Sequence, residues 1–205
     1  MIRQHILCAP YLKANLSPHQ EACMLLFRCQ GSLLASHTNE ADSNTLCDAC
    51  ELLPHTNQDV VEDAQHVLLH CCRLPFAASR PQFHSDMAEQ CDEFSALFPD
   101  GSPITWRALD GETQTRLSLG DALPSNWSFR GLNAAESHAA RRELQAALIR
   151  AAAPHLQDVA SGLRAYRKAV AADTRAGNTT HWHNALRHIE QLGPALDEGS
   201  ESDDE

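Results

Sequence analysis

Apolar residues along this chain recur mostly at spacings of three and four, the period of amphipathic helices. The clearest run is Leu144, Leu148, Ala152, Leu156, Val159, Leu163, Tyr166 and Val170. It predicts a long helical region opened by the capping box Asn133-Ala134-Ala135-Glu136 and stopped at Gly177-Asn178. Pro154 lies inside the stripe, so a kink or two abutting helices are expected. A last helix is expected over roughly 180–192, with Trp182, Leu186 and Ile189 inward.

Upstream, Ser17-Pro18-His19-Gln20 is a helix start: Ser17 caps, Pro18 suits the first turn and Gln20 completes a capping box. Ala22, Leu25, Leu26 and Cys29 are expected to share the buried face, and Gly31 to end the helix. Val60, Val61, Ala64, Val67, Leu68 and Cys71 predict a second helix, capped near Asn57, with Asp59, Glu62 and Asp63 in its first turns and Pro75 at its end. Phe83, Met87, Cys91, Phe94 and Phe98 predict a third over 82–98. Trp106, Leu109, Leu117, Leu119 and Leu123 are expected to cover a core. Residues 1–15 show no clear period.

The chemistry concentrates between Cys47 and Cys71. Cys47-Asp48-Ala49-Cys50 is followed, fifteen residues on, by His66-Val67-Leu68-Leu69-His70-Cys71. Two cysteines separated by two residues can grip one ion from a tight turn, and a Cys₃His set is a standard tetrahedral zinc site. Cys47, Cys50, His66 and Cys71 are therefore the candidate ligands of a structural Zn2+. His70, Cys72 and His55 are rivals for a ligand position; Cys71 is preferred because a thiolate binds zinc strongly. Four protein ligands leave no open position for water or substrate, which argues against a metallohydrolase.

The fold class expected is mostly α, in three parts. A small zinc-stabilised helical module covers 1–99, a helical domain covers 100–196, and a disordered acidic tail covers 197–205. The turn Pro99-Asp100-Gly101 marks the boundary.

Charge narrows the range of partners. The net charge is −11, with nine acids against two arginines in 51–100 and six acids in 197–205. That is no phosphate-seeking chain overall. Bases gather instead in the second half, where Arg141, Arg142, Arg150, Arg164, Arg167 and Lys168 are the candidate contacts to RNA or DNA. An ordinary solvated helix face is the plainer reading of the same residues. The N-terminus lacks a secretory signal and no segment is apolar enough to span a membrane. An intracellular chain, cytoplasmic or nuclear, is expected, with its eight cysteines as thiols or metal ligands.

The run Leu46-Cys47-Asp48-Ala49-Cys50…Glu62-Asp63-Ala64-Gln65-His66-Val67-Leu68-Leu69-His70-Cys71…Arg80 is similar to the zinc-binding region at the C-terminal end of non-LTR retrotransposon reverse transcriptases. Leu25-Leu26-Phe27-Arg28-Cys29-Gln30-Gly31-Ser32-Leu33-Leu34 resembles that family's segment ahead of the first cysteine. The likeness covers about residues 16–85 and points to Cys71 as the fourth ligand. The loop between Cys50 and His66 is longer than the family pattern, and the paired aspartates of a polymerase, like ribonuclease H and endonuclease carboxylates, are missing. The resemblance implies zinc binding and help in handling RNA or DNA, and no catalytic residue. Two alternatives stand beside it: a zinc-stabilised module docking a protein through the Leu144–Val170 stripe, and a non-functional relic of a retroelement.

Overall fold

The computed structural model describes residues 14–28, 46, 47, 50, 60–72, 76–97, 103–127, 129 and 131–175, with side chains through 168. Among them are five α-helices and one 3₁₀ turn: α1 (Pro18–Arg28), α2 (Ala64–Leu69), α3 (Phe76–Leu97), the turn Trp106–Ala108, α4 (Gly111–Ser118) and α5 (Ala134–Arg175). The described part is mostly α. Its one β-type pairing is an isolated antiparallel bridge between Leu46 and Val61.

Local sequence explains where the helices start. At α1 the Ser17 N–H donates to Gln20 Oε1 (3.0 Å) and the Gln20 N–H to Ser17 Oγ (3.3 Å), the reciprocal capping box expected from the sequence. At α5 the Asn133 N–H donates to Glu136 Oε2 (2.9 Å), while Asn133 Oδ1 accepts from Ala135 and Glu136. Asp110 caps α4 by accepting from the Thr113 N–H at 2.8 Å. That helix ends in a Schellman turn, with Asp121 N–H on the Arg116 carbonyl and Gly120 N–H on that of Leu117.

The long helix α5 organises the rest. Leu144, Leu148, Ala152, Leu156, Val159 and Leu163 are all buried, and Tyr166 is half-buried. Pro154 does not divide the region: one helix runs through it, with the proline on the exposed side. The widest packing surface is α3 on α5, where Phe76, Phe83, Met87 and Cys91 form the inner face of α3. Helix α1 also packs on α5, and α4 packs on both α2 and α5. Trp106 meets the Phe83 ring edge-on at 5.9 Å, and Leu117 and Leu123 close that end. One apolar cluster runs from Ala14 to Leu163, continuous across the boundary expected near residue 99.

Three local expectations need correction. The buried face of α1 is Cys23, Met24 and Phe27, while Ala22 and Leu25 are exposed, so the helix is rotated from the face first read. Phe27 and Met24 carry more apolar area than the alternatives, and the larger side chains set the orientation. Helix α3 begins at Phe76, six residues before 82, and keeps Pro81 inside it at the cost of one backbone bond. Burial of Phe76 offsets that loss. Helix α2 is six residues long and starts after Asp63, because Val60 and Val61 are held extended by the bridge to Leu46. Cys8, Cys29, Gly31, His55, Asn57, Pro75, the 99–101 turn, the Val170 side chain, the 177–178 stop, the 180–192 helix and the 197–205 tail lie outside what the structure describes.

Candidate metal centre

Cys47 and Cys50 reach the centre through backbone bonds that are independent of any ion. The Cys47 N–H donates to the Val60 carbonyl at 2.7 Å, next to the Leu46–Val61 bridge, which clips the first cysteine beside the start of α2. The Cys50 N–H then turns back onto the Cys47 carbonyl at 3.1 Å, so both thiols face one side of a tight turn. On the other strand of the site, Asp63 caps α2 by accepting from the His66 N–H at 2.7 Å. Helix α2 stops at Leu69, and Cys71 lies just beyond it, its N–H returning to the His66 carbonyl at 2.7 Å. His66 and Cys71 are thus brought together by the end of a helix rather than by helical spacing.

The ligand atoms of Cys47, Cys50, His66 and Cys71 all lie within 4.8 Å of one another, and all four residues are buried. Cys47 Sγ and Cys71 Sγ are 3.8 Å apart. Two sulfurs bound at about 2.3 Å to one tetrahedral ion would be about 3.8 Å apart. The chemistry of the set also fits. His66 Nε2 is buried with no hydrogen-bond partner among the described residues, a state that costs roughly 1–3 kcal/mol unless something binds it. A metal ion supplies that partner. The Cys50 thiol is held far below the ordinary range because hydrogen bonding with the neighbouring cysteines, Cys47 first and then Cys71 and Cys72, favours its charged form and outweighs its burial. The four residues can therefore hold a metal ion as a closed, four-ligand set.

The surroundings complement such a centre. Three thiolates, a neutral imidazole and a divalent ion together carry one net negative charge. Arg80, from α3, donates Nε to the Leu68 carbonyl at 3.2 Å and Nη2 to the Cys71 carbonyl. Burial works against its charge, while the sulfurs of Cys71, Cys50 and Cys72 work for it. Arg80 thereby binds carbonyls at and just beyond the end of α2 and sets a cation beside the sulfurs. Two further ties reach α5. Buried Glu62, next to the Asp63 cap, pairs with Arg167 at 3.3 Å. His155, fully inside the core, bonds through Nε2 to the Leu68 carbonyl at 3.0 Å and through Nδ1 to Ser79 Oγ at 2.7 Å, with its ring stacked on Phe83 at 4.6 Å. The carbonyl can only accept, so Nε2 carries the proton and the Ser79 hydroxyl donates to Nδ1.

All four expected ligand residues meet; of their rivals, His55 lies outside the described residues and the other two are not in the cluster. His70 is exposed, and Cys72 sits beside the centre, outside the four-atom cluster. Of the basic residues, Arg141 is committed to the fold: its guanidinium donates to the carbonyls of Trp127 (2.6 Å), Leu123 (2.8 Å) and Pro124 (2.9 Å). Arg167 is the partner of Glu62. Arg142, Arg150, Arg164 and Lys168 are exposed on α5. The part of the stripe from Leu144 to Leu163 is buried within the chain, so it has no free face to offer a partner. The supporting role of His155 was missed from the sequence. Its position was readable, three residues after Ala152 and four before Val159, a polar group inside an apolar stripe. No helix among the described residues is long and apolar enough to cross a membrane. No protein-family model, curated protein or solved structure matches the chain.

Proposed function

We propose that this chain is a non-catalytic zinc module in which Cys47, Cys50, His66 and Cys71 bind one structural Zn2+ and the assembled helices help bind RNA or DNA. The observation that carries the reading is the convergence of ligand atoms from four buried residues, one of them an imidazole nitrogen with no hydrogen-bond partner among the described residues. Three thiolates and an imidazole favour zinc over the hard, oxygen-seeking cations. With every position taken by protein, the ion organises structure and offers no site to a substrate.

The nucleic-acid half rests on less. The resemblance of the 46–80 run to the zinc-binding end of non-LTR retrotransposon reverse transcriptases favours it. So does the side of α5 bearing Arg142, Arg150, Arg164 and Lys168, which fall within about 80° of one another and span about 39 Å at helical geometry. Acids weaken that side, since Asp86 and Glu89 line the same groove as Arg150. Against the protein-docking alternative, the stripe from Leu144 to Leu163 is buried within the chain.

Two measurements on the full chain test the reading. Metal analysis of wild type beside Cys71→Ser should give about one zinc per chain, lost in the variant. Anisotropy titration with single-stranded RNA and DNA should show affinity falling with salt, with a log–log slope of roughly −3 for four phosphate contacts. Absence of zinc removes the first half. Affinity unmoved by salt, or no binding at low salt, removes the second and leaves a zinc-stabilised helical protein of other purpose.

A further inference from the structure

Cys72 is a spare thiol in contact with a ligand. It follows Cys71 directly, at the point where the chain has left α2, and it is only half-buried while the four ligand residues are buried. Its Sγ lies 3.4 Å from Cys50 Sγ, and its backbone N–H donates to the same sulfur at 3.4 Å. Cys72 is nonetheless outside the set of mutually close ligand atoms. A tetrahedral ion needs four ligands and already has them. The other described cysteines away from the centre, Cys23 and Cys91, are buried in the apolar core.

We propose that Cys72 and Cys50 form an oxidant-responsive pair whose disulfide removes one ligand and releases the metal. The oxidant class is a hydroperoxide. The Cys72 sulfur attacks one peroxide oxygen, the O–O bond breaks, and a sulfenic acid forms with loss of hydroxide, which takes up a proton as water. Cys50, a thiolate on the ion, then leaves it and attacks the sulfenic sulfur, forming the S–S bond and expelling hydroxide, which takes a proton from solvent to become a second water. One thiol, one metal-bound thiolate, one hydrogen peroxide and one solvent proton thus give one disulfide and two waters. The two electrons come from the sulfurs, and the zinc departs as the divalent ion it was. With three ligands remaining, the site no longer saturates the ion, and the disulfide replaces the metal as the tie between Cys50 and the chain just beyond α2.

This inference rests on the zinc reading above, so the experiment separates the two. Zinc per chain is first counted by native mass spectrometry in wild type, Cys72→Ser and Cys72→Ala. Each zinc-loaded protein is then treated with one equivalent of hydrogen peroxide beside a chromogenic zinc chelator, and disulfides are mapped by peptide mass. Wild type is expected to release its zinc together with a Cys50–Cys72 disulfide, and both variants to release it about tenfold more slowly or slower. Dithiothreitol with added zinc should restore the wild-type count. Equal release from wild type and variants, or a disulfide joining other cysteines, overturns the pair. Loss of zinc from the untreated variants would make Cys72 a ligand and overturn it too. If untreated wild type holds no zinc, the metal reading fails, and disulfide mapping alone decides whether Cys50 and Cys72 pair.

Discussion

The α3–α5 pair buries Phe83, Met87 and Cys91 against the stripe from Leu144 to Leu163, whereas the metal-binding segment brings little more than Val67, Leu68 and Leu69 to the core. Each large apolar side chain fully removed from water contributes about 1.5–3 kcal/mol. Twenty-two residues of α3 on forty-two of α5 supply many such contacts, and six residues of α2 supply few. The first region can stand on apolar burial. The second must gain its order from elsewhere: a bound ion, the Arg80 cap, and the ties through His155 and Glu62. The same chain therefore contains a region set by shape and one set by coordination chemistry.

Metal removal is the largest lever on that contrast. Zinc binding contributes on the order of 10 kcal/mol in small finger peptides. Excess chelator is expected to raise amide hydrogen exchange across 60–72 toward unfolded rates while 83–94 and 144–163 stay protected. Far-UV circular dichroism should barely change, since α2 is a small share of the helix. Hydrogen exchange read by mass spectrometry checks this directly. Cooperative loss of protection in α3 and α5 as well would break the comparison, because it would show that the helix pair needs Leu68 and its neighbours in place.

The same contrast decides what was legible beforehand. The α5 stripe and both capping boxes are periodic, local signals, and they were read correctly with residue numbers. The four candidate ligands were legible because spacing limits which sulfurs and nitrogens can share an ion, while the choice of Cys71 over His70, Cys72 and His55 needed the stronger binding of a thiolate and the family likeness as well. What failed depended on distant partners. The extended backbone at Val60 and Val61 is set by Leu46, fifteen residues before Val61, and no local pattern encodes it. Helix α1 was rotated because four apolar types compete for one face and only the shape of α5 chooses among them. Arg141 looked like a free cation until the carbonyls of 123–127 were seen to converge on it.

A smaller effect is expected where the two regions touch. His155 has its pKa pushed down to about 4, chiefly by burial, against an ordinary 6.5. Between those values the unfolded chain takes up a proton that the folded chain refuses. Its contribution is therefore complete above pH 6.5 and declines as pH falls toward 4, by about 3 kcal/mol in all. Protonation of the metal ligands acts in the same direction, so the variant matters more than the curve. Urea unfolding of wild type and His155→Gln from pH 4 to 8 should give curves that converge at low pH, since glutamine retains a donor for the Leu68 carbonyl without titrating. Parallel curves would assign the acid sensitivity to the ligands alone and sharpen the line between the regions.

Gly120 offers the smallest test, placed wholly on the apolar side. It closes the Schellman turn after α4 at φ +78°, a left-handed conformation that L-residues occupy only with strain. An added Cβ would also lie 3.0 Å from Ile149 Cδ1, inside the core face of α5. Ile149 is fully buried, so it has little room to retreat. Gly120→Ala is expected to cost roughly 1–2 kcal/mol from the backbone, with a further increment from the contact. A lower urea midpoint with an unchanged zinc count would show that strain in the helical layer stays there. Loss of zinc in this variant would mean that α4, which packs on α2 through Gly111 and Gln65, transmits the strain to the metal centre. The two regions would then be one cooperative unit, stabilised by different forces but melting together.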